Sequence, residues 1–128
     1  MRCLLVDDNK TFVETACRVL DPNWVKVTGT ASNIDEALLR VSELPPDVIL
    51  IDVRLGDESG FDLARRLAEP HTRDLAVIMI SSGSEDDYLD LIAESTALGF
   101  LPKTRLSVDG IWRLLSEVRS DLRRMRVL

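Results

Sequence analysis

At 128 residues the chain is long enough to enclose a core as one domain of ordinary size, residues 1–128. Its formal net charge of −6 repels nucleic-acid phosphates, which argues against non-specific DNA or RNA binding. No apolar run approaches the roughly 18–20 residues that span a bilayer, and the start "MRCLLVDDN" turns acidic too soon for a secretory signal, so a cytoplasmic protein without a membrane partner is expected.

Residues 3–8, "CLLVDD", form an apolar run that ends in acids and reads as a first strand. Phe12, Val13, Ala16, Cys17 and Leu20 then recur at helical spacing; Asn9 or Thr11 can cap this helix, and "DPN" at 21–23 ends it. Residues 24–31, "WVKVTGTA", alternate, with Val25 and Val27 on one face, as in an edge strand. Asn33 followed by Glu36 reads as a capping box for a helix through about Glu43, closed by Pro45 and Pro46. "DVILID" at 47–52 is a buried strand, followed by an acidic loop and a helix from Gly60 to Ala68.

"LAVIMISS" at 75–82 is a third continuous apolar strand, and 85–97 reads as a helix whose leading acids suit the positive end of its dipole. "GFLPK" at 99–103 is a short strand that Pro102 confines to a sheet edge. Ile111, Leu115, Val118, Leu122 and Met125 make a final helical stripe, capped by Ser107. Cys3 and Cys17 both sit in apolar settings and read as buried, reduced thiols.

Five strands thus alternate with five helices. Continuously apolar strands are buried on both faces, so the first, third and fourth are central and the second and fifth are edges. The result is an α/β doubly wound parallel sheet of order 2-1-3-4-5, the flavodoxin-like arrangement. Sites in such sheets lie at the carboxyl ends of the strands, beside the point where strand order reverses. Asp7 and Asp8, Asp52, Ser81 and Lys103 stand at four such ends and converge on one rim. Three neighbouring carboxylates repel one another, and a hard divalent cation such as Mg²⁺ relieves that repulsion. With a lysine and a hydroxyl beside them, the set suits phosphoryl transfer, in which a carboxylate can itself be the nucleophile.

"LLVDDN" (4–9), "PDVILIDVRLGDESGFDL" (46–63), "VIMISS" (77–82) and "GFLPK" (99–103), in that order and spacing, resemble the receiver domain of bacterial two-component response regulators over nearly the whole chain. The resemblance implies that Asp52 is the phosphoacceptor. It implies that Asp7, Asp8, Asp52 and the backbone carbonyl of Arg54 bind Mg²⁺, and that Ser81 and Lys103 contact the phosphoryl group. It implies too that Phe100 is the aromatic that turns inward in the switch. The expected partners are a sensor histidine kinase or a phosphotransfer protein, and a second copy meeting the face of the fourth helix, fifth strand and fifth helix, where Tyr88, Leu91 and Trp112 lie. A DNA-binding output domain, if one exists, lies outside this chain. The protein would catalyse its own phosphorylation and dephosphorylation without being a turnover enzyme.

Three features depart from the family pattern. Gly56 replaces a common proline, Phe100 a common tyrosine, and Thr104 follows Lys103 where a cis proline is usual. A flavin-binding relative of the fold is disfavoured because its phosphate loop would be acidic here. A small-substrate phosphatase would carry an acid where Arg54 stands. A pseudo-receiver that only binds other proteins is the alternative. Taken singly, Asp7, Asp8, Asp52 and Lys103 would be caps, turns or solvated charges. So would His71, and Arg119, Arg123, Arg124 and Arg126 form a solvated face.

Overall fold

A computed structural model describes residues 1–68, 75–83, 85–95 and 97–127, with the side chains of all but 85, 86 and 118–127. It contains β1 (Arg2–Val6), α1 (Lys10–Val19), β2 (Lys26–Ala31), α2 (Ile34–Glu43), β3 (Val48–Asp52), α3 (Gly60–Leu67), β4 (Ala76–Ser81), α4 (Leu89–Glu94), β5 (Gly99–Pro102) and α5 (Val108–Val127). A two-residue hairpin pairs Arg54–Leu55 with Glu58–Ser59, and 3₁₀ turns occupy Glu85–Tyr88 and Lys103–Arg105. The five long strands are parallel in the order β2-β1-β3-β4-β5, as the apolar patterning predicts.

The period of two along each central strand divides the core. Leu4, Val6, Ile49, Ile51, Val77 and Met79 face α2 and α3, joined there by Ala37, Leu63 and Leu67. Cys3, Leu5, Val48, Leu50, Ile78 and Ile80 face the other way, against Ala16 and Leu20 of α1 and Ile111 of α5. Ile49, Leu50 and Ile51 are completely enclosed, and each such side chain contributes roughly 1.5–3 kcal/mol relative to exposure. That burial holds the end of β3, and so Asp52, in place.

Helix entries follow the expected caps. Asn9 Oδ1 accepts from the Phe12 N–H at 3.1 Å, and Asn33 Oδ1 from the Glu36 N–H at 2.8 Å. The carboxylate of Glu36 accepts from the Ser32 hydroxyl at 3.4 Å. Ser107 Oγ accepts from the Gly110 N–H at 2.9 Å at the start of α5.

Four expectations need correction. The second strand begins two residues late, because the Trp24 and Val25 N–H groups are both taken by the Asp21 carbonyl in a turn. Its register then slips between the Cys3–Val27 and Leu4–Gly29 pairs, leaving Thr28 as a bulge that breaks the alternation. The helix expected over 85–97 is a 3₁₀ turn followed by six α-helical residues. No side chain caps it at Tyr88, and Ser95 closes it by turning its own N–H and hydroxyl back to the Ile92 carbonyl. Cys3 is buried as expected, but Cys17 is exposed, because α1 presents Ala16 and Leu20 to the sheet and Cys17 lies past them around the helix. Trp112 does not join the face shared with α4. It lines a cleft with Val19, Asp21 and Trp24 beside the end of α1. His71 lies outside the described residues, as do the side chains of Val118, Leu122, Met125 and the four C-terminal arginines.

Candidate functional site

Strand order reverses between β1 and β3, and the carboxyl ends of those strands carry the acids. Asp7 follows β1 and is 3% exposed; Asp52 is the last residue of β3 and is 8% exposed. Asp8 is exposed, and one oxygen from each of the three carboxylates lies within 4.8 Å of the others. Lys103, one residue past β5, reaches across β4 to this cluster. Its Nζ lies 2.7 Å from Asp7 Oδ2 and 3.1 Å from Asp52 Oδ2. Ser81, the last residue of β4, is buried, and its Oγ accepts from the Gly83 N–H at 3.0 Å, which leaves the hydroxyl proton to give.

Backbone donors fix the carboxylates. Asp7 Oδ1 accepts from the Asn9 N–H at 2.8 Å, and Asp52 Oδ1 from the Arg54 N–H at 3.3 Å. The loop after β3 turns at Gly56, whose φ of 62° is one that glycine adopts without strain, and this brings the loop over Asp8. Gly60 lets α3 start directly against the carbonyl of Asp52, where any Cβ would overlap that oxygen.

Burial pushes the Asp52 carboxyl up from the ordinary carboxylate value, and the neighbouring Asp7 charge adds to this. The hydrogen bond and charge of Lys103, with the Arg54 N–H, oppose the shift without cancelling it. Burial alone would lower Lys103, but its bonds to Asp7 and Asp52 and their charges leave it raised and firmly cationic.

The donor set fits a hard divalent cation. It is made of oxygens alone, with one from each of three carboxylates close enough to share an ion, and the buried Asp7 Oδ2 meets the Lys103 ammonium at 2.7 Å. A carboxylate oxygen has two lone pairs, so one ammonium contact leaves ligand capacity unused.

The structure brings together Asp7, Asp8, Asp52 and Lys103, and it sets Ser81 on the adjacent strand end. For Arg54 it shows the N–H engaged with Asp52 and the side chain exposed. The peptide bond between Lys103 and Thr104 is trans, since no cis bond occurs among the described residues. Phe100 stands apart. It is buried, with its ring centroid 6.5 Å from that of Tyr88. One contributor escaped the sequence reading. Phe12 reads only as a member of an apolar stripe, yet its ring lies under Lys103, with 4.5 Å between Nζ and the centroid.

The family model for the response regulator receiver domain matches residues 3–110. Response regulator GacA of Pseudomonas viridiflava is 31% identical over 104 residues, which cover 80% of this chain and 48% of that protein. A protein-glutamate methylesterase/protein-glutamine glutaminase of Bacillus subtilis is 37% identical over 86 residues, covering 66% of this chain and 24% of that enzyme. The chain thus spans about half the length, or less, of these relatives. Among solved structures, the signal receiver domain of NarL from Mycobacterium tuberculosis superposes with a TM-score of 0.75 at 26% identity, covering 91% of this chain and 94% of that one. A response regulator from Burkholderia pseudomallei, solved with a phosphorylated aspartic acid, calcium ion and citrate, gives a TM-score of 0.76 at 27% identity, covering 94% of this chain and 71% of that one.

Proposed function

This chain belongs to the response regulator receiver family, and on that premise we propose that it is a cytoplasmic phosphorylation switch with Asp52 as the phosphoacceptor. A sensor histidine kinase, a phosphotransfer protein or a small acyl phosphate is the donor. An Asp52 oxygen attacks the phosphorus, the bond from phosphorus to the donor's leaving atom breaks, and an aspartyl phosphate forms. The observation that carries this reading is the reach of Lys103 to both Asp7 and Asp52 from the far side of β4. An ammonium held at that place is within reach of the oxygens of an incoming phosphoryl group. The Ser81 hydroxyl donates to the same group.

Asp7, Asp8, Asp52 and the Arg54 carbonyl are the residues that would hold Mg²⁺; when bound, it supplies charge neutralisation for the transferring oxygens. The carbonyl's part is taken from the family pattern. The phosphorylated aspartate and calcium ion of the Burkholderia relative support the same chemistry. The added charge of about −1.5 to −2 then draws Ser81 and Lys103 toward it and reshapes the surface near α4, β5 and α5. Residues 1–128 act as one receiver unit in this reading, with any DNA-binding output domain on a further segment or a partner. Self-phosphorylation and its reversal are the only chemistry assigned to it.

Intact mass after incubation with an acyl phosphate and Mg²⁺ tests this. One phosphoryl group is expected on the wild type, slower labelling on Asp8→Ala, and none on Asp52→Asn or after chelation. Full labelling of Asp52→Asn would overturn the assignment, and an unlabelled wild type would favour the pseudo-receiver alternative.

A further inference from the structure

Lysine is a flexible four-carbon stem ending in a strongly hydrated point charge, so two carboxylates alone do not define where its ammonium sits. In this protein the third side of the Lys103 ammonium is covered by the ring of Phe12, 4.5 Å from Nζ to centroid. The side chain of Lys103 is only 15% exposed, so the electron-rich ring face acts on a partly desolvated cation, where such an attraction is strongest. We propose that Phe12 is a positioning residue for phosphoryl transfer, holding the Lys103 ammonium against Asp7 and Asp52 through its ring face.

Phe12 can do this because its own place is tied to the same carboxylate. Asp7 Oδ1 holds the Asn9 N–H at 2.8 Å, and Asn9 Oδ1 caps α1 by accepting from the Phe12 N–H at 3.1 Å. The Phe12 ring supports Lys103, and Lys103 returns to Asp7 Oδ2 at 2.7 Å. The four residues close a circuit from a candidate ligand acid, through a helix cap and an aromatic face, back to that acid. Phe12 is half-buried against the core of α1 and α5, which keeps the ring from swinging away. A leucine would fill much of the same space but offer no ring face.

The inference deepens the phosphorylation reading, and its test separates the two. In the metal-free full chain, the ε protons of Lys103 are expected to show an upfield ring-current shift in the NMR spectrum. Phe12→Tyr should keep that shift and Phe12→Leu should lose it, with both variants folded by their amide spectra. With an acyl phosphate and Mg²⁺, labelling of Phe12→Leu should slow roughly five- to thirtyfold, the equivalent of a cation–π contact, while Phe12→Tyr stays near wild type. No ring-current shift in the wild type would overturn the proposal whatever the variants do. So would wild-type labelling by Phe12→Leu, or equal slowing in both variants, which would mean packing alone. A wild type that takes no phosphoryl group refutes the phosphorylation reading and any kinetic role for Phe12, and the spectrum then decides only the contact.

Discussion

Replacing Gly60 by alanine probes how closely the site depends on the backbone beneath it. Gly60 opens α3, and its N–H donates to the Val53 carbonyl at 2.8 Å. A Cβ at this position would overlap the Asp52 carbonyl oxygen and lie 2.9 Å from both the Asp52 carbonyl carbon and Ile51 Cγ2. Overpacking costs typically 1–3 kcal/mol, and here the obstacle is the backbone of a central strand rather than a yielding side chain. A cost of about 3 kcal/mol is therefore expected. At about 2.1 cal/mol/K of unfolding entropy per residue, 128 residues give a fall in Tm of roughly 11 °C. Gly29→Ala is the control, since its Cβ would meet Leu4 Cδ1 at 3.5 Å and Arg40 Cδ at 3.9 Å, both ordinary contacts; it should stay within about 1 kcal/mol of the wild type. Thermal and urea melts of the three proteins decide the matter. A Gly60→Ala variant melting within about 2 °C of the wild type, or no lower than Gly29→Ala, would refute the reasoning.

Three further outcomes follow from the charges and exposures. The raised Asp52 carboxyl means that its charge opposes folding at neutral pH, and that stability is regained as pH falls through the raised value toward the ordinary one. Metal-free Asp52→Asn should therefore be the more stable protein at neutral pH in urea melts, with the gap closing as pH approaches about 4. Burial pushes the Cys3 thiol up to about 12, with Cys17 adding to the shift, so a thiol reagent should modify Cys17 alone in the native protein and both cysteines only after unfolding. On α4, Leu89 and Leu91 are 53% and 47% exposed. A second copy is expected to cover this face with α5 after phosphorylation, so beryllofluoride should raise the sedimentation coefficient in the wild type and not in Leu91→Glu.

The sheet and its order are legible because Cys3–Val6 of β1, Val48–Ile51 of β3 and Ala76–Ile80 of β4 are continuously apolar, a pattern that burial on both faces accounts for. Once the order is known, the convergence of Asp7, Asp52, Ser81 and Lys103 follows from their places at strand ends. What escapes the sequence is set by contacts between distant segments or by small rotations. The slip at Thr28 reflects pairing with β1 rather than any local signal. Cys17 and Trp112 each adjoin a buried neighbour, Ala16 and Ile111, and a rotation of one residue around the helix carries them to another face. The shortness of α4 depends on how Ser95 turns back on Ile92, and the perch of Lys103 on Phe12 joins opposite ends of the chain.

The identity of the phosphoacceptor is tested most directly by reductive trapping. Borohydride converts an aspartyl phosphate to a primary alcohol, a mass change confined to the residue that carried the phosphoryl group. After labelling with an acyl phosphate and Mg²⁺, peptide mass spectrometry should find that change at Asp52 and nowhere else. The same change at Asp7 or Asp8 with Asp52 unmodified would contradict the assignment of the buried carboxylate at the end of β3 as the nucleophile.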